Sequence, residues 1–283
     1  MKVIEWFKLP QTRDIENLDD PAVTLLHSEI IQKKLFLKKL CIDFYKQFQR
    51  AVSDLASPAV AGYAKAGPEN KVLVELGSGG GFIKKIIGNV ITSDILELPN
   101  VDRVFSALDM PFEQAGVDAF FMIDVLHHIT DPRRFFKEAL RCLKIGGKIV
   151  MIEPANTCWS RFIYKNFHHE LFDPQAKWEL AGDKHGPLSQ GNDALPWIIF
   201  TRDRKIFEKE FPSLRIVSIR NHTPLRYLLS GGLSLRQLVP SFTYPAVKAL
   251  EYLLSPIMDL LGMFQTIELE KVDQLKITDT EKE

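Results

Sequence analysis

Cysteine is scarce. Cys41, Cys142 and Cys158 are three in number, widely separated and without a CxxC pair, which argues against a disulfide framework or a cysteine zinc site and fits a reducing compartment. Net charge is also missing: 36 basic and 36 acidic side chains cancel. A nucleic-acid binder normally carries a surplus of Lys and Arg, so no nucleic-acid partner is expected. No stretch of about 20 residues is apolar enough to span a bilayer. The opening MKVIEWFKLPQTR holds no apolar run of the signal-peptide kind. These absences predict a cytoplasmic protein, or one that touches a membrane only from the side. There is no internal repeat and no low-complexity tract. What remains is an ordinary globular composition, 46% apolar and 25% charged over 283 residues, long enough to bury a two-sided sheet.

Asp20-Pro21 has the form of a helix start, a capping carboxylate followed by proline at the first helical position. Apolar residues at helical spacing then run through 21–52, among them Leu25, Leu26, Ile30, Leu37, Leu40, Phe44 and Phe48. Gly62, Gly67 and Pro68 mark a loop, so 1–62 reads as a helical N-terminal cap and 63–283 as the main domain. From residue 71 the period changes. VLVEL (72–76), VITSDI (90–95), VDAFFMIDV (117–125) and KIVMIEP (148–154) are short apolar runs of the kind buried on both faces of a sheet, with a further short strand near 103–107. Asp131-Pro132 opens a helix that Gly146-Gly147 is expected to stop. Strand and helix in alternation predict a parallel sheet with right-handed crossovers.

Beyond Pro154 the pattern is interrupted by the loop-rich segment 155–200. Residues 203–211 read as a helix, and 214–219 and 264–272 as an antiparallel pair closing the sheet edge. Between these lies an apolar, Pro- and Gly-broken insert, 223–263. Its Lys248, Glu251, Ser255 and Asp259 share one helical face, and Val247, Leu250, Leu254, Met258 and Leu261 the other. Packing against the domain or a second subunit is the plain expectation for it. An acceptor channel or peripheral membrane contact is the other use such a surface has.

VLVELGSGGGF carries the strongest chemical signal. A buried strand ends at Glu75 and the chain turns through Gly77, Gly79 and Gly81, which predicts a helix N-terminus whose free N–H groups face a ligand. Asp94 follows Glu75 by 19 residues, close to the spacing of about 20 at which an acid receives ribose hydroxyls in a doubly wound sheet. A dinucleotide fingerprint needs glycine where Phe82 stands, and no Walker lysine follows the glycines.

These residues resemble the class I S-adenosylmethionine-dependent methyltransferase superfamily, in the small-molecule branch that includes the quinone and sterol enzymes. ELGSGGG, Asp94, LDMPF (108–112) and the run from Val117 to Pro154 carry the likeness. The resemblance implies an α/β fold with a doubly wound, mostly parallel, seven-stranded Rossmann-like sheet, an antiparallel edge strand, and helical N-terminal and C-terminal additions. S-adenosyl-L-methionine is the implied cofactor. Glu75, Gly77, Ser78, Gly79 and Gly81 would line its methionine part, Asp94 and Ile95 its ribose, and Ala107, Leu108 and Asp109 its adenine. Ser106 stands where many relatives carry an acid. Ile123 and Asp124 would face the transferable methyl, and 155–200 would build the acceptor side.

Methyl transfer needs positioning more than a metal, and none is assigned. A hydroxyl acceptor calls for a base. His127, with His128 beside it, follows the fourth strand, and His168 lies in FHHELFD (167–173); in that cluster His168, His169, Glu170 and Asp173 lack a recognised ligand spacing. The expected acceptor is a small or lipid-like molecule. The competing readings are a nicotinamide oxidoreductase, disfavoured by Phe82, and a silent domain that binds cofactor or partner. The connections on either side of the short third strand leave no room for full crossover helices. The N-terminal helices and 155–200 are expected to cover the sheet there and close over the cofactor.

Overall fold

The computed structural model describes residues 7–12, 17, 19–55, 71–168, 170–180, 186 and 191–273; the expected boundary at residue 62 and His169 lie outside them. Strands β1 (Leu73–Glu75), β2 (Ile91–Asp94), β3 (Arg103–Val104), β4 (Val117–Ile123), β5 (Leu143–Pro154), β6 (Leu214–His222) and β7 (Phe264–Lys271) form one sheet in the order β3-β2-β1-β4-β5-β7-β6. Neighbours are parallel from β3 to β5, and β7 runs antiparallel to both β5 and β6. The antiparallel strand therefore sits one place inside the edge. β7 is buried along most of its length, whereas β6 buries only Leu214 and leaves its other residues half-buried or exposed, as an edge strand can. The strand order reverses between β1 and β4, where a doubly wound sheet opens a crevice beyond the strand ends.

The apolar run of the N-terminus forms two helices, α1 (Pro21–Lys33) and α2 (Leu35–Asp54), rather than one. Asp20 accepts a hydrogen bond from Ala22 N at 2.8 Å as the cap of α1. The break falls at Lys34, whose ψ of 90° is not helical. Its Nζ donates to the Gly232 and Leu235 carbonyls at 2.6 and 2.8 Å, tying the break to the insert.

The helix expected after the glycine loop is only a three-residue 3-10 turn, Ile83–Lys85. Too little chain separates β1 from β2 for a crossover helix, and α2 supplies the missing cover. Phe48 stacks on Phe121 of β4 at 4.9 Å, and Tyr45 meets Phe82 edge-on at 5.1 Å.

On the other face α3 (Pro132–Cys142) starts at Asp131, which caps Arg134 N at 2.9 Å, and buries Phe135, Phe136, Ala139 and Cys142. It stops at Cys142, ahead of the glycines. Gly146, with φ of 79°, lies inside β5 at an irregular stretch of its pairing with β4. Phe200, Phe207 and Phe211, from 195–202, α5 (Arg204–Glu210) and its end, surround Phe136 with centroids 5.2–5.9 Å away. Helix α4 (Cys158–Phe167) opens with a reciprocal Thr157–Ser160 cap.

The insert forms α6 (Arg226–Ser230) and α7 (Tyr244–Leu253), and the helix expected through 261 breaks at Ser255-Pro256. Its faces keep the expected sense at Val247, Leu254, Met258 and Leu261, which are half-buried, and at Lys248, Ser255 and Asp259, which are exposed, while Glu251 and Leu250 depart from it. Glu251 is buried: its Oε1 accepts from Leu225 N and Arg226 N at 2.9 and 2.7 Å, and its Oε2 takes the Arg226 guanidinium. Arg226 and Lys248 both reach Asp43 of α2 at 2.7 Å. Leu250, Tyr252, Leu253, Ile257 and Leu260 face solvent instead. A buried, fully paired acid outcompetes a generic amphipathic pattern because leaving Asp43 and Arg226 unpaired would cost more than exposing leucines.

Candidate active site

A cavity of about 390 Å³ opens beyond the C-terminal ends of β1, β2 and β4. Its floor is the loop from Glu75 to Phe82. Gly77 and Gly79 have φ of 63° and 50°, backbone that favours glycine. A Cβ on Gly77 would stand 2.5 Å from Val125 Cγ2, and one on Gly80 2.1 Å from Ser28 Cβ. That second contact is α1 lying directly on the loop, with Ser28 Oγ donating to the Gly80 carbonyl at 2.7 Å.

Asp94 is fixed at both oxygens: Oδ2 accepts from Gly79 N at 2.8 Å and Oδ1 from Leu96 N at 3.0 Å. Each oxygen keeps a lone pair for a hydroxyl donor. Beneath the loop Glu75 is buried, and its Oε2 takes no hydrogen bond within the protein. Burial pushes its carboxyl up to about 8, with Ser78 and Tyr45 opposing the shift.

Of the residues expected to hold the cofactor, Glu75, Gly77, Ser78, Gly79, Gly81, Asp94, Ile95, Ala107, Leu108 and Ile123 all line this cavity. Asp109 does not. It is exposed in a tight turn whose Asp109 N donates to the Ser106 carbonyl, and Ser106 takes the lining place. Phe82 turns its ring into the core against Tyr45, so the position a dinucleotide would need as glycine is filled.

The three expected catalytic residues separate. Asp124 ends β4 with φ of 54° and opens onto the cavity. Asp124 is exposed to the cavity space, yet the protein mass enclosing that space raises its carboxyl to about 8; Glu153, Asp193 and Glu170 add to the rise and His127 opposes it. His127 and His168 do not line the cavity, whereas His128 does. His127 is drawn inward by Glu153 at the end of β5, whose Oε2 lies 2.8 Å from His127 Nδ1. Glu153 Oε1 also accepts from Val125 N and Leu126 N, at 3.0 and 2.8 Å. Burial alone would lower the His127 imidazole, but Glu153, Glu170 and Asp193 hold it well above its ordinary value. His168 stands 3.1 Å from Asp193, and its value is likewise raised by that carboxylate against burial. Both are poor bases for a substrate in the cavity, being walled off from it.

No described residue of 155–200 lines the cavity either. Much of its apolar wall is Leu37, Leu40, Cys41 and Phe44 of α2, with Tyr227 and Leu233 of the insert and Phe264 of β7. Thr24, His27, Ser28 and Ile31 of α1 complete the roof. The N-terminal helices lie over the cavity as expected, and residues of the insert line it where the described residues of 155–200 do not. No motif marks these residues; only their helical period was legible, and a period does not say what lies beneath.

The strand order brings the glycine loop and the acid ending β2 together at the switch point of the sheet, the arrangement of a doubly wound nucleoside-binding domain. Residues 74–151 match the family model of the methyltransferase domain, so the chain carries that domain. Similar solved structures include the geranyl diphosphate C-methyltransferase of Streptomyces coelicolor A3(2), at 16% identity and a TM-score of 0.42 over 80% of this chain and 77% of that one. A SAM-dependent methyltransferase of Thermotoga maritima aligns at 16% identity and a TM-score of 0.47, over 87% and 98% of the two chains. One from Methanosarcina mazei aligns at 15% and 0.43, over 72% and 93%.

The residues present suit S-adenosylmethionine. The orphaned Glu75 Oε2 offers a buried carboxyl that an ammonium group would ionise, and Asp94 presents acceptors to vicinal hydroxyls.

Proposed function

We propose that the protein transfers a methyl group to a hydroxyl of a small, lipid-like acceptor held under α2 and the insert. The carrying observation is Asp124, a carboxylate opening onto a cavity whose far wall is apolar: Leu37, Leu40, Phe44, Tyr227, Leu233 and Phe264. When bound, S-adenosylmethionine supplies an electrophilic methyl on a sulfonium centre. Glu75, Asp94 and the glycine loop hold it, while α1 and α2 exclude water, so positioning carries much of the acceleration. Asp124 accepts the hydroxyl proton at its carboxylate as the acceptor oxygen gains its methyl, a contribution of about 10²–10⁴ in rate. Asp124→Asn is expected to lower turnover by about a hundredfold with S-adenosylhomocysteine affinity retained. The assay is transfer of labelled methyl to a panel of long-chain alcohols and glycolipids. Unchanged turnover by the variant would remove the base role.

A lipid-like acceptor is further supported by the outer face of the insert. Phe242, Tyr252 and Leu253 are 81%, 79% and 74% exposed and belong to the same insert as Tyr227 and Leu233. No helix among the described residues is long and apolar enough to cross a membrane, so contact would be from the side. Flotation with phospholipid vesicles is expected to carry the protein upward and to fail for Phe242→Ser with Leu253→Ser. A wild-type chain that stays at the bottom of the gradient removes the membrane contact, and dimerisation in gel filtration would assign the face to self-association.

A further inference from the structure

We propose that His127, His168, Glu170 and Asp193 form a site for one divalent transition-metal ion of the zinc type, behind the wall of the cavity and apart from the cofactor. The donors come from three segments: the turn after β4, the chain just past α4, and the residue before Ala194. His127 Nε2 lies 3.3 Å from Glu170 Oε2 and 3.8 Å from Asp193 Oδ1, and His168 Nδ1 lies 3.1 Å from Asp193 Oδ2. The donor atoms of His168, Glu170 and Asp193 all fall within 4.8 Å of one another.

Those separations are informative. Nitrogen and oxygen ligands about 2.0–2.2 Å from a tetrahedral zinc ion stand about 3.3–3.6 Å from each other. Charged hydrogen bonds close further, to about 2.7–2.9 Å, as Arg226–Asp43 does at 2.7 Å and Lys144–Asp118 at 2.7 Å in this chain. The His–carboxylate contacts here average nearer the ligand spacing than the hydrogen-bond spacing. Asp193 is 1% exposed, and its Oδ2 receives no hydrogen bond of acceptable geometry even with His168 Nδ1 so close. That oxygen faces the His168 imidazole 3.1 Å away without a well-formed hydrogen bond, and a metal ion would take the place of the imidazole proton.

The surroundings are arranged before any ion arrives. His127 Nδ1 is engaged by Glu153 Oε2 at 2.8 Å, which turns Nε2 toward the site in the carboxylate–histidine–metal manner. Backbone bonds hold the donors together: Asn192 N donates to the His127 carbonyl at 3.0 Å and Asp193 N to the Leu171 carbonyl at 2.9 Å. Two imidazoles with two carboxylates favour zinc or cobalt over calcium and magnesium, which prefer six or more oxygens. The ion would fasten the segment carrying His168 and Asp193 to the turn that carries Asp124 and His128. The sequence hides such a site because only His168 and Glu170 are close along the chain.

The test is titration of the chelator-treated full chain with Co2+, read by visible absorption, and with Zn2+, read by calorimetry. Expected are one ion per chain, the intense d–d bands of tetrahedral Co2+ and displacement of Co2+ by Zn2+. His168→Asn and Asp193→Asn should each weaken binding tenfold or more, and Glu153→Gln by about ten- to a hundredfold. S-adenosylhomocysteine binding, measured on the same samples, reports that each chain is folded. A wild-type chain that binds S-adenosylhomocysteine but gives neither bands nor heat overturns the site. So does metal binding of equal strength in the His168 and Asp193 variants.

Discussion

Glu75 is the residue whose environment makes the most specific demand. A carboxyl raised from 4.5 to about 8 by burial favours the fold while it stays protonated. That contribution to stability is complete below pH 4.5 and is withdrawn as pH climbs through about 8. A ligand bringing an ammonium group reverses the preference, since it stabilises the ionised carboxylate. Binding then releases a proton, and affinity for S-adenosylhomocysteine is expected to rise with pH up to about 8. Calorimetry between about pH 6 and pH 8.5 checks this: the wild type should tighten and Glu75→Gln should show a flat profile. A wild type with no slope would mean that the orphaned oxygen faces something other than the cofactor's amine. Glu75 was legible in the sequence as the end of a buried strand before a glycine turn. The burial that gives it this titration was not, because it depends on α2, some thirty residues upstream, closing over the loop.

Among the elements, the roof behaves unlike its sequence. Helix α7 and the chain after it present leucines to solvent because Arg226, Asp43, Glu251 and Tyr244 bind one another beneath them. Arg226 connects three elements, with α6 carrying it, α2 supplying Asp43 and α7 supplying Glu251. Arg226→Ala leaves Glu251 buried without its cation and Asp43 with Lys248 alone, and a loss of about 3–5 kcal/mol is expected in urea unfolding. Arg226→Met should lose about as much, since the aliphatic stem does not neutralise either acid. A change below about 1 kcal/mol would mean the network is solvated like a surface pair. The helix pattern at 223–263 was read correctly as helical and apolar. The burial of Glu251 was not readable, because the Arg226–Asp43 network that holds it draws on α2, almost two hundred residues away.

For the molecule as a whole, cofactor binding and stability are linked. The cavity has its floor on β1, β2 and β4 and its roof on α1, α2 and the insert, so a ligand there bridges both layers of the fold. S-adenosylhomocysteine at a hundred times its dissociation constant should stabilise the chain by about 2.7 kcal/mol, seen as a rise in melting temperature. Asp94→Ala should abolish the rise while leaving the ligand-free melting temperature nearly unchanged. Its two backbone bonds, to Gly79 and Leu96, are local and cost little beside the ribose contact. A variant that keeps the full shift would place the ribose elsewhere.

The sequence by itself determined the parts of this protein that are written over short stretches of chain. Strand runs, the Asp20 and Asp131 caps, the glycine loop and the acid after it are local, since hydrophobic period, φ preference and strand-to-strand spacing act within about twenty residues. The tertiary structure alone decided which helix covers the glycine loop, which insert lines the cavity and which histidine faces it. Those outcomes rest on packing and charge pairing between residues far apart in sequence: Phe48 on Phe121, Ser28 on Gly80, Glu153 on His127. Contacts of that kind compete as whole arrangements, and the arrangement that buries and pairs the most groups prevails over any local pattern.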